Sequence, residues 1–277
     1  MTDTLIVGFG SAGKRHKSIA EHFGHHVFTA DPWVDHADYV SLDNALSDRK
    51  FDIVVIATPP ESHLLLSQQS LESGASVLCE KPLCYNGQLE KAIEMMEFSH
   101  INRMAVAYNY RYHPDLVAQN YSGSQGIYWG MKCRQSRTLP SWGLLLDHVS
   151  HDIDILCHQA TLMYGKVPTI RIESAEHYLY GGCYQKWTIR GFMITDKKHP
   201  FFIDEGVTTD PRARQAKICS PRGCLDIEPS SSMYLFMWQD FLFSVASGKS
   251  LAYSFESALE TQFVLNQIEK VAKTYVE

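Results

Sequence analysis

Leu5-Ile6-Val7-Gly8-Phe9-Gly10-Ser11-Ala12-Gly13-Lys14-Arg15-His16 decides the fold of the chain. An apolar strand runs straight into a glycine-rich turn that opens a helix. In the spacing G-x-G-x-x-G the first glycine permits a tight turn, the second lets backbone approach a pyrophosphate, and the third lets the helix pack close on the strand. The new helix presents unpaired N–H groups and the positive end of its dipole. These features describe a nucleotide cradle, with Gly8, Phe9, Gly10, Ser11, Ala12 and Gly13 as its expected cofactor-binding residues.

Outward from the turn, residues 14–23 read as a helix ending near Gly24, and His26–Ala30 as a second strand that closes on Asp31-Pro32. A carboxylate at that strand end can accept from both adenosine ribose hydroxyls, and its charge repels a 2′-phosphate. NAD is therefore the expected cofactor, with NADP not excluded. An Asp-Pro turn starter is the alternative reading of Asp31. Residues 51–57 are apolar on both faces, as a central parallel strand requires, and stop at Thr58-Pro59-Pro60. Residues 61–73 read as a helix closed by Gly74, Ser76–Cys79 as a strand, 87–99 as a helix and 104–108 as a strand. Regular alternation of this kind predicts a doubly wound parallel sheet, the Rossmann arrangement.

The pattern changes near residue 117. Longer β-type segments over 127–137, 169–179 and Tyr184–Ile194 predict an antiparallel or mixed sheet. Residues 254–276 carry Leu259, Phe263, Leu265, Ile268, Val271 and Ala272 at near-helical spacing and predict one closing helix. The expected fold class is α/β: an NAD-binding domain over 1–116, then an α+β substrate domain over 117–277 on an open mixed or mainly antiparallel sheet. The closing helix is expected to pack back on the first domain.

Composition narrows the function. At 277 residues, 45% hydrophobic and 20% charged, the chain has the length and content of two soluble globular domains. A formal charge of -6 without any basic block argues against general nucleic-acid affinity. No apolar run approaches the roughly 20 residues that span a bilayer, and the start reads as a strand, not a signal peptide, so no membrane role and a cytoplasmic location are expected. The 7 cysteines form no CxxC pair and suggest reduced thiols; Cys79 and Cys84 read as packing residues. His22, His25, His36, His100, His177 and His199 read as isolated surface residues.

Two places can carry chemistry. Lys81 follows a buried strand and precedes Pro82, a position from which its ammonium can reach a substrate oxygen; a plain loop lysine paired with Glu80 is the simpler reading. As a helix, residues 144–156 bury their leucines and isoleucines while Asp147, His151, Asp154 and His158 fall at i, i+4, i+7 and i+11 on one face. Asp147 can then orient His151 as a general base. A core histidine satisfied by an aspartate fits the same pattern, and so does a metal site, which lacks a second ligand cluster; no metal is expected.

The order of these pieces resembles the Gfo/Idh/MocA family of NAD(P)-dependent sugar and polyol dehydrogenases. The resemblance rests on residues 8–16, on Ala57-Thr58-Pro59-Pro60-Glu61-Ser62-His63, on Cys79-Glu80-Lys81-Pro82-Leu83, on Asn109-Tyr110-Arg111-Tyr112-His113-Pro114, and on Asp147-His148-Val149-Ser150-His151-Asp152-Ile153-Asp154. It is firm over roughly the first 155 residues and thins beyond. It implies that Lys81, Asp147 and His151 are catalytic, with His151 the acid/base. It further implies that Thr58, Pro59, His63, Glu80 and Lys81 join Asp31 and the glycine turn around the cofactor. Arg111 and Trp142 join Lys81, Asp147 and His151 around a small sugar or polyol substrate, and a homodimer or homotetramer is implied. Val149 stands where many members have glycine, and only Gly143 remains of a glycine run before it. Two other functions keep the same pieces: a redox-neutral, NAD-dependent glycosidase, and a non-catalytic NAD-binding regulator.

Overall fold

The computed structural model describes residues 1–85, 87–114, 117, 129–135, 143–166, 168–180, 184–195, 197–207, 216–220, 223–227, 231–248 and 254–276. Trp142 lies outside the described residues. The chain forms two compact units: one of Met1–Tyr108 with Tyr234–Leu259, the other of Asn109–Met233 with Glu260–Glu277. The return to the first unit at Tyr234–Leu259 is not captured by a division at residue 116.

In the first unit, β1 (Asp3–Val7), β2 (His26–Ala30), β3 (Ile53–Ile56), β4 (Ser76–Cys79) and β5 (Met104–Val106) form one sheet in the order β2-β1-β3-β4-β5, and every pairing is parallel. Burial explains the composition. β3, β4 and β5 are buried at every residue, as a sheet covered on both faces demands, while edge strand β2 starts exposed at His26. Tyr39 makes a single parallel bridge to Ala30, extending the β2 edge by one residue. Helices α1 (Ser11–His22), α2 (Leu42–Asp48), α3 (His63–Glu72) and α4 (Leu89–Glu94) connect the strands. Ser41 caps α2 by accepting from the Asn44 N–H. The strand order reverses between β1 and β3, which sets the ligand crevice at their carboxyl ends.

The second unit is built on β6 (Trp129–Gln135), β7 (Thr169–Tyr180), β8 (Tyr184–Ile194), β9 (Lys198–Val207) and, from the far end of the chain, β12 (Ala272–Val276). The order is β12-β7-β8-β9-β6; β7/β8 and β8/β9 are antiparallel, while β12/β7 and β6/β9 are parallel. The sheet is mixed. A separate hairpin joins β10 (Ala216–Ser220) to β11 (Gly223–Ile227). Helix α5 (Ser150–Tyr164) ends at Gly165 in a left-handed cap with φ 75°, where glycine carries no steric penalty.

The C-terminal expectation needs correction. The helix over 254–276 stops at Val271: α7 is Phe255–Val271, and the next residues form β12 beside β7. Lys273-Thr274-Tyr275-Val276 favours a strand through its β-branched and aromatic side chains, and Tyr275 stacks on Tyr178 at 5.1 Å. The start of α7 does pack on the first sheet's core, with Phe255, Ala258 and Leu259 buried among Leu5, Val54 and Val77. Helix α6 (Ser231–Ser247) is apolar almost all round, so no periodicity announces it; Met233, Met237, Trp238 and Phe241 are its buried stripe. His199 is also not a surface residue. It is buried, with its Nε2 3.0 Å from Thr195 Oγ1 and its ring on Tyr164.

Gly191 in β8 shows how tightly the second sheet is packed: a Cβ there would stand 2.5 Å from the Arg171 carbonyl oxygen and 2.6 Å from the Phe201 ring. Gly191→Ala is expected to cost about 1–3 kcal/mol through overpacking. Urea unfolding of the two proteins, compared at the midpoint, measures it.

Candidate functional site

The glycine turn follows β1 directly. Gly8 has φ +88°, and a Cβ on it would lie 2.6 Å from the Ala57 carbonyl oxygen, so only glycine fits between the ends of β1 and β3. A Cβ on Gly13 would sit 2.0 Å from the Gly8 carbonyl oxygen. Gly10 is different. No heavy atom stands within 4 Å of its Cβ position, so the space beside it is open. Gly10 is also the N-cap of α1, which has no side-chain cap and no acidic residue in its first turn. The α1 N-terminus is thus left for an anionic ligand such as a pyrophosphate.

Asp31 reaches back to this turn. Its Oδ2 accepts from the Phe9 N–H at 2.7 Å, and its Oδ1 accepts from the Trp33 N–H at 2.8 Å. Both readings of Asp31 hold in one geometry, because the second bond is the turn an Asp-Pro pair sets up and the first holds the carboxylate beside the glycine turn. Trp33 itself is almost fully exposed.

The remaining residues expected on the cofactor divide. Thr58 and Pro59 occupy the loop after β3, where Thr58 Oγ1 is 2.7 Å from Ser62 Oγ. His63 is fully buried at the start of α3, with Nε2 2.8 Å from the Thr58 carbonyl and Nδ1 2.8 Å from the Pro82 carbonyl. It braces two loops against each other. Burial lowers its pKa, against the opposing pull of the two carbonyls and Glu80.

Glu80 is likewise a brace. Its Oε1 lies 2.9 Å from Nε2 of the fully buried His16, and its Oε2 accepts from the Lys81 backbone N–H at 3.2 Å. His16 Nδ1 accepts from Trp238 Nε1 at 3.0 Å. Burial pushes the Glu80 carboxyl up, but the His16 hydrogen bond and the charge of Lys81 outweigh it and hold the group below the usual carboxylate range. Nothing in the sequence pattern singles out Trp238 for this role; its indole N–H, buried beside a histidine, is legible only in three dimensions. Lys81 itself follows β4 at the sheet's carboxyl edge, joined to Pro82 through a cis peptide bond.

The second unit carries the other candidates. A π-helical turn, Leu145–Val149, leads into α5. Asp147 is buried in that turn, its Oδ2 3.3 Å from His148 Nε2. His151 lies one turn on, its ring 4.8 Å from that of Tyr110. Arg111 is buried, its Nε donates to Asp154 Oδ2 at 2.7 Å, and its NH2 pairs with Asp154 Oδ1. Thr261 Oγ1 adds a bond to Asp154 Oδ1 at 3.3 Å. The face expected to carry Asp147, His151, Asp154 and His158 together therefore splits, since Asp154 is spent on Arg111. Among the described residues, no group of three His, Cys, Asp or Glu side chains is placed to hold a metal ion. Cys79, Cys84 and Cys157 are buried free thiols, and burial pushes the thiols of Cys79 and Cys157 up, away from nucleophilic character.

A glycine turn at the switch point of a parallel sheet, with an uncapped helix and an acidic residue closing β2, defines an NAD-binding domain of Rossmann type. Residues 3–110 match the family described as the oxidoreductase family with an NAD-binding Rossmann fold, Gfo/Idh/MocA. The inositol 2-dehydrogenase of Leifsonia xyli is 29% identical over 129 residues, 43% of this chain and 38% of that protein. Stretches matched in three curated relatives span 12%, 18% and 38% of those proteins. The fold extends further than sequence. A myo-inositol dehydrogenase from Corynebacterium glutamicum superposes with TM-score 0.77 at 17% identity, covering 98% of this chain and 96% of that one. The WlbA dehydrogenase from Thermus thermophilus, solved with NAD and α-ketoglutarate, gives 0.72 at 14% identity, covering 100% and 97%. No helix among the described residues is long and apolar enough to cross a membrane.

Two outcomes test the site. Gly10→Ala is expected to leave the melting temperature unchanged while weakening NAD binding by tenfold or more, because its methyl enters only the open side; Gly13→Ala is expected to lower both. Calorimetric titration with NAD beside thermal melts separates them. Burial and the charge of Arg111 lower the His158 pKa to about 4, so the unfolded chain takes up this proton first as pH falls from 6.5. Stability is then lost between pH 6.5 and about 4. His158→Gln is expected to flatten the pH dependence of the melting temperature across that window.

Proposed function

We propose that the chain is an NAD-dependent oxidoreductase that moves a hydride between a secondary alcohol of a sugar, polyol or sugar derivative and the nicotinamide. One observation carries this reading: Lys81 stands at the end of β4 in the same sheet whose switch point holds the open glycine turn, tied to it through Glu80 and His16. A bare nucleotide sensor has no use for an ammonium group at that strand end. The relatives' inositol and amino-sugar dehydrogenase names favour a polyhydroxylated substrate.

Bound NAD supplies a hydride acceptor at nicotinamide C4. Lys81 donates a hydrogen bond to the reacting oxygen and stabilises the negative charge that grows there as its proton leaves. His151 takes that proton. Asp147, buried in the turn before α5, supplies the negative charge that favours the protonated imidazole. Arg111 acts through Asp154 as a positioning residue for α5. A homodimer or homotetramer, sized by light scattering, belongs to the same proposal.

The test is turnover with myo-inositol and with UDP-N-acetylglucosamine as probes, followed by NADH absorbance. NADH is expected to accumulate in proportion to product, which a redox-neutral glycosidase would not produce. His151→Asn and Lys81→Met are each expected to lose about 10²- to 10⁴-fold in kcat with NAD affinity retained. Full activity in His151→Asn would sink the assignment of that residue.

A further inference from the structure

The second unit holds ionisable side chains that this reaction does not use. His148 sits in the π-helical turn with its side chain only 12% exposed; its Nε2 is 3.3 Å from Asp147 Oδ2 and its Nδ1 is 3.8 Å from Glu205 Oε1. Glu205 comes from β9 and is 1% exposed. Asp152, in the first turn of α5, is also buried, and its carboxyl is within electrostatic reach of that of Glu205. Two ionised carboxylates buried beside each other repel with little water to screen them, so one of the pair keeps a proton. Burial first, and the Glu205 charge second, push the Asp152 carboxyl well above the usual carboxylate range.

The imidazole faces the complementary demand. Both of its nitrogens look toward carboxylate oxygens, and a neutral ring has only one N–H, so it would turn a lone pair to one of them. We propose that Asp147, His148, Glu205 and Asp152 form one buried proton-holding chain, in which His148 is a positioning residue kept as an imidazolium and Asp152 and Glu205 share a single proton.

Charge accounting favours this arrangement. Three carboxyls with one shared proton and one imidazolium leave a single net negative charge, whereas three ionised carboxylates around a neutral ring would leave three in a nearly dry site. The charges on neighbouring elements are already engaged: Arg111 pairs with Asp154 and Lys186 pairs with Asp204, while the His151 ring packs on Tyr110. The consequence for turnover is that Asp147 stays ionised, ready to stabilise a protonated His151. Only this consequence rests on the catalytic reading above; the protonation pattern stands apart from it.

The experiment is ¹⁵N NMR of the imidazole rings in the full chain, without cofactor or substrate, with the His148 signals assigned as those lost in His148→Gln. The ring is expected to be doubly protonated at about pH 7.5, a unit above the ordinary imidazole midpoint. Glu205→Gln is expected to move its titration midpoint down by about one pH unit or more, since the adjacent negative charge is gone. Asp152→Asn leaves Glu205 fully ionised and is expected to hold the midpoint or raise it. A neutral ring at that pH in the parent chain overturns the proposal, as does a midpoint that ignores Glu205→Gln or falls in Asp152→Asn. If Glu205→Gln fails to fold, the parent spectrum and Asp152→Asn decide. No turnover enters the measurement, so a failed dehydrogenase assay and a failed proton chain are separate results.

Discussion

A buried chain of hydrogen bonds holds the cofactor half of the site: Trp238 Nε1 to His16 Nδ1, His16 Nε2 to Glu80 Oε1, and the Lys81 N–H to Glu80 Oε2. An indole N–H can only donate, so His16 Nδ1 must accept and Nε2 must carry the hydrogen. The direction of the chain is fixed by that one fact. Every member is needed, because removing a partner from a buried carboxylate strands a charge at a cost of several kcal/mol. The helix opened by the glycine turn, the end of β4 and helix α6 are thereby locked together within the first unit, and the Lys81 backbone cannot shift without breaking the chain.

The second unit solves a similar problem with a different pair. Arg111 and Asp154 meet through two bonds, and Thr261 satisfies a further lone pair on the same carboxylate. Burial alone raises the Asp154 carboxyl, yet the guanidinium is permanently charged and arranged as a fork that fits it. The pair ties the segment after Tyr108 to α5 and to α7. Both halves of the proposed chemistry thus depend on buried hydrogen-bonded braces, which is the usual condition for holding reactive groups within tenths of an ångström.

Much of the first unit is legible in the sequence because its constraints are local. Glycines that must approach backbone, strands buried on both faces and an acidic residue at a strand end each leave a mark in sequence. The partners of His63 and Arg111 lie far along the chain, Pro82 and Asp154, and spacing cannot reveal them. The hairpin of β10 and β11 and the strand β9 lie in segments with weak alternation, and α6 is apolar on most faces. The closing helix reads too long because Val271-Ala272 continues a helical spacing, while only the free edge of β7 makes the next residues a strand.

The π-helical turn is the feature that sequence periodicity is bound to misread. Asp147 and His151 at i and i+4 share a face in an α-helix, but the wider turn over Leu145–Val149 changes where each side chain leaves the axis. Such turns are rare, so something must hold this one in place. Leu146 and Val149 are fully buried on either side of Asp147 and His148, and their packing resists rewinding to a regular helix. Val149 then has a physical use. A glycine there would leave the turn free to relax, whereas a buried β-branched side chain stiffens the backbone and fixes the two charged residues that precede it. The buried valine and the acid–imidazole cluster are therefore two aspects of one local solution, in which packing supports charge.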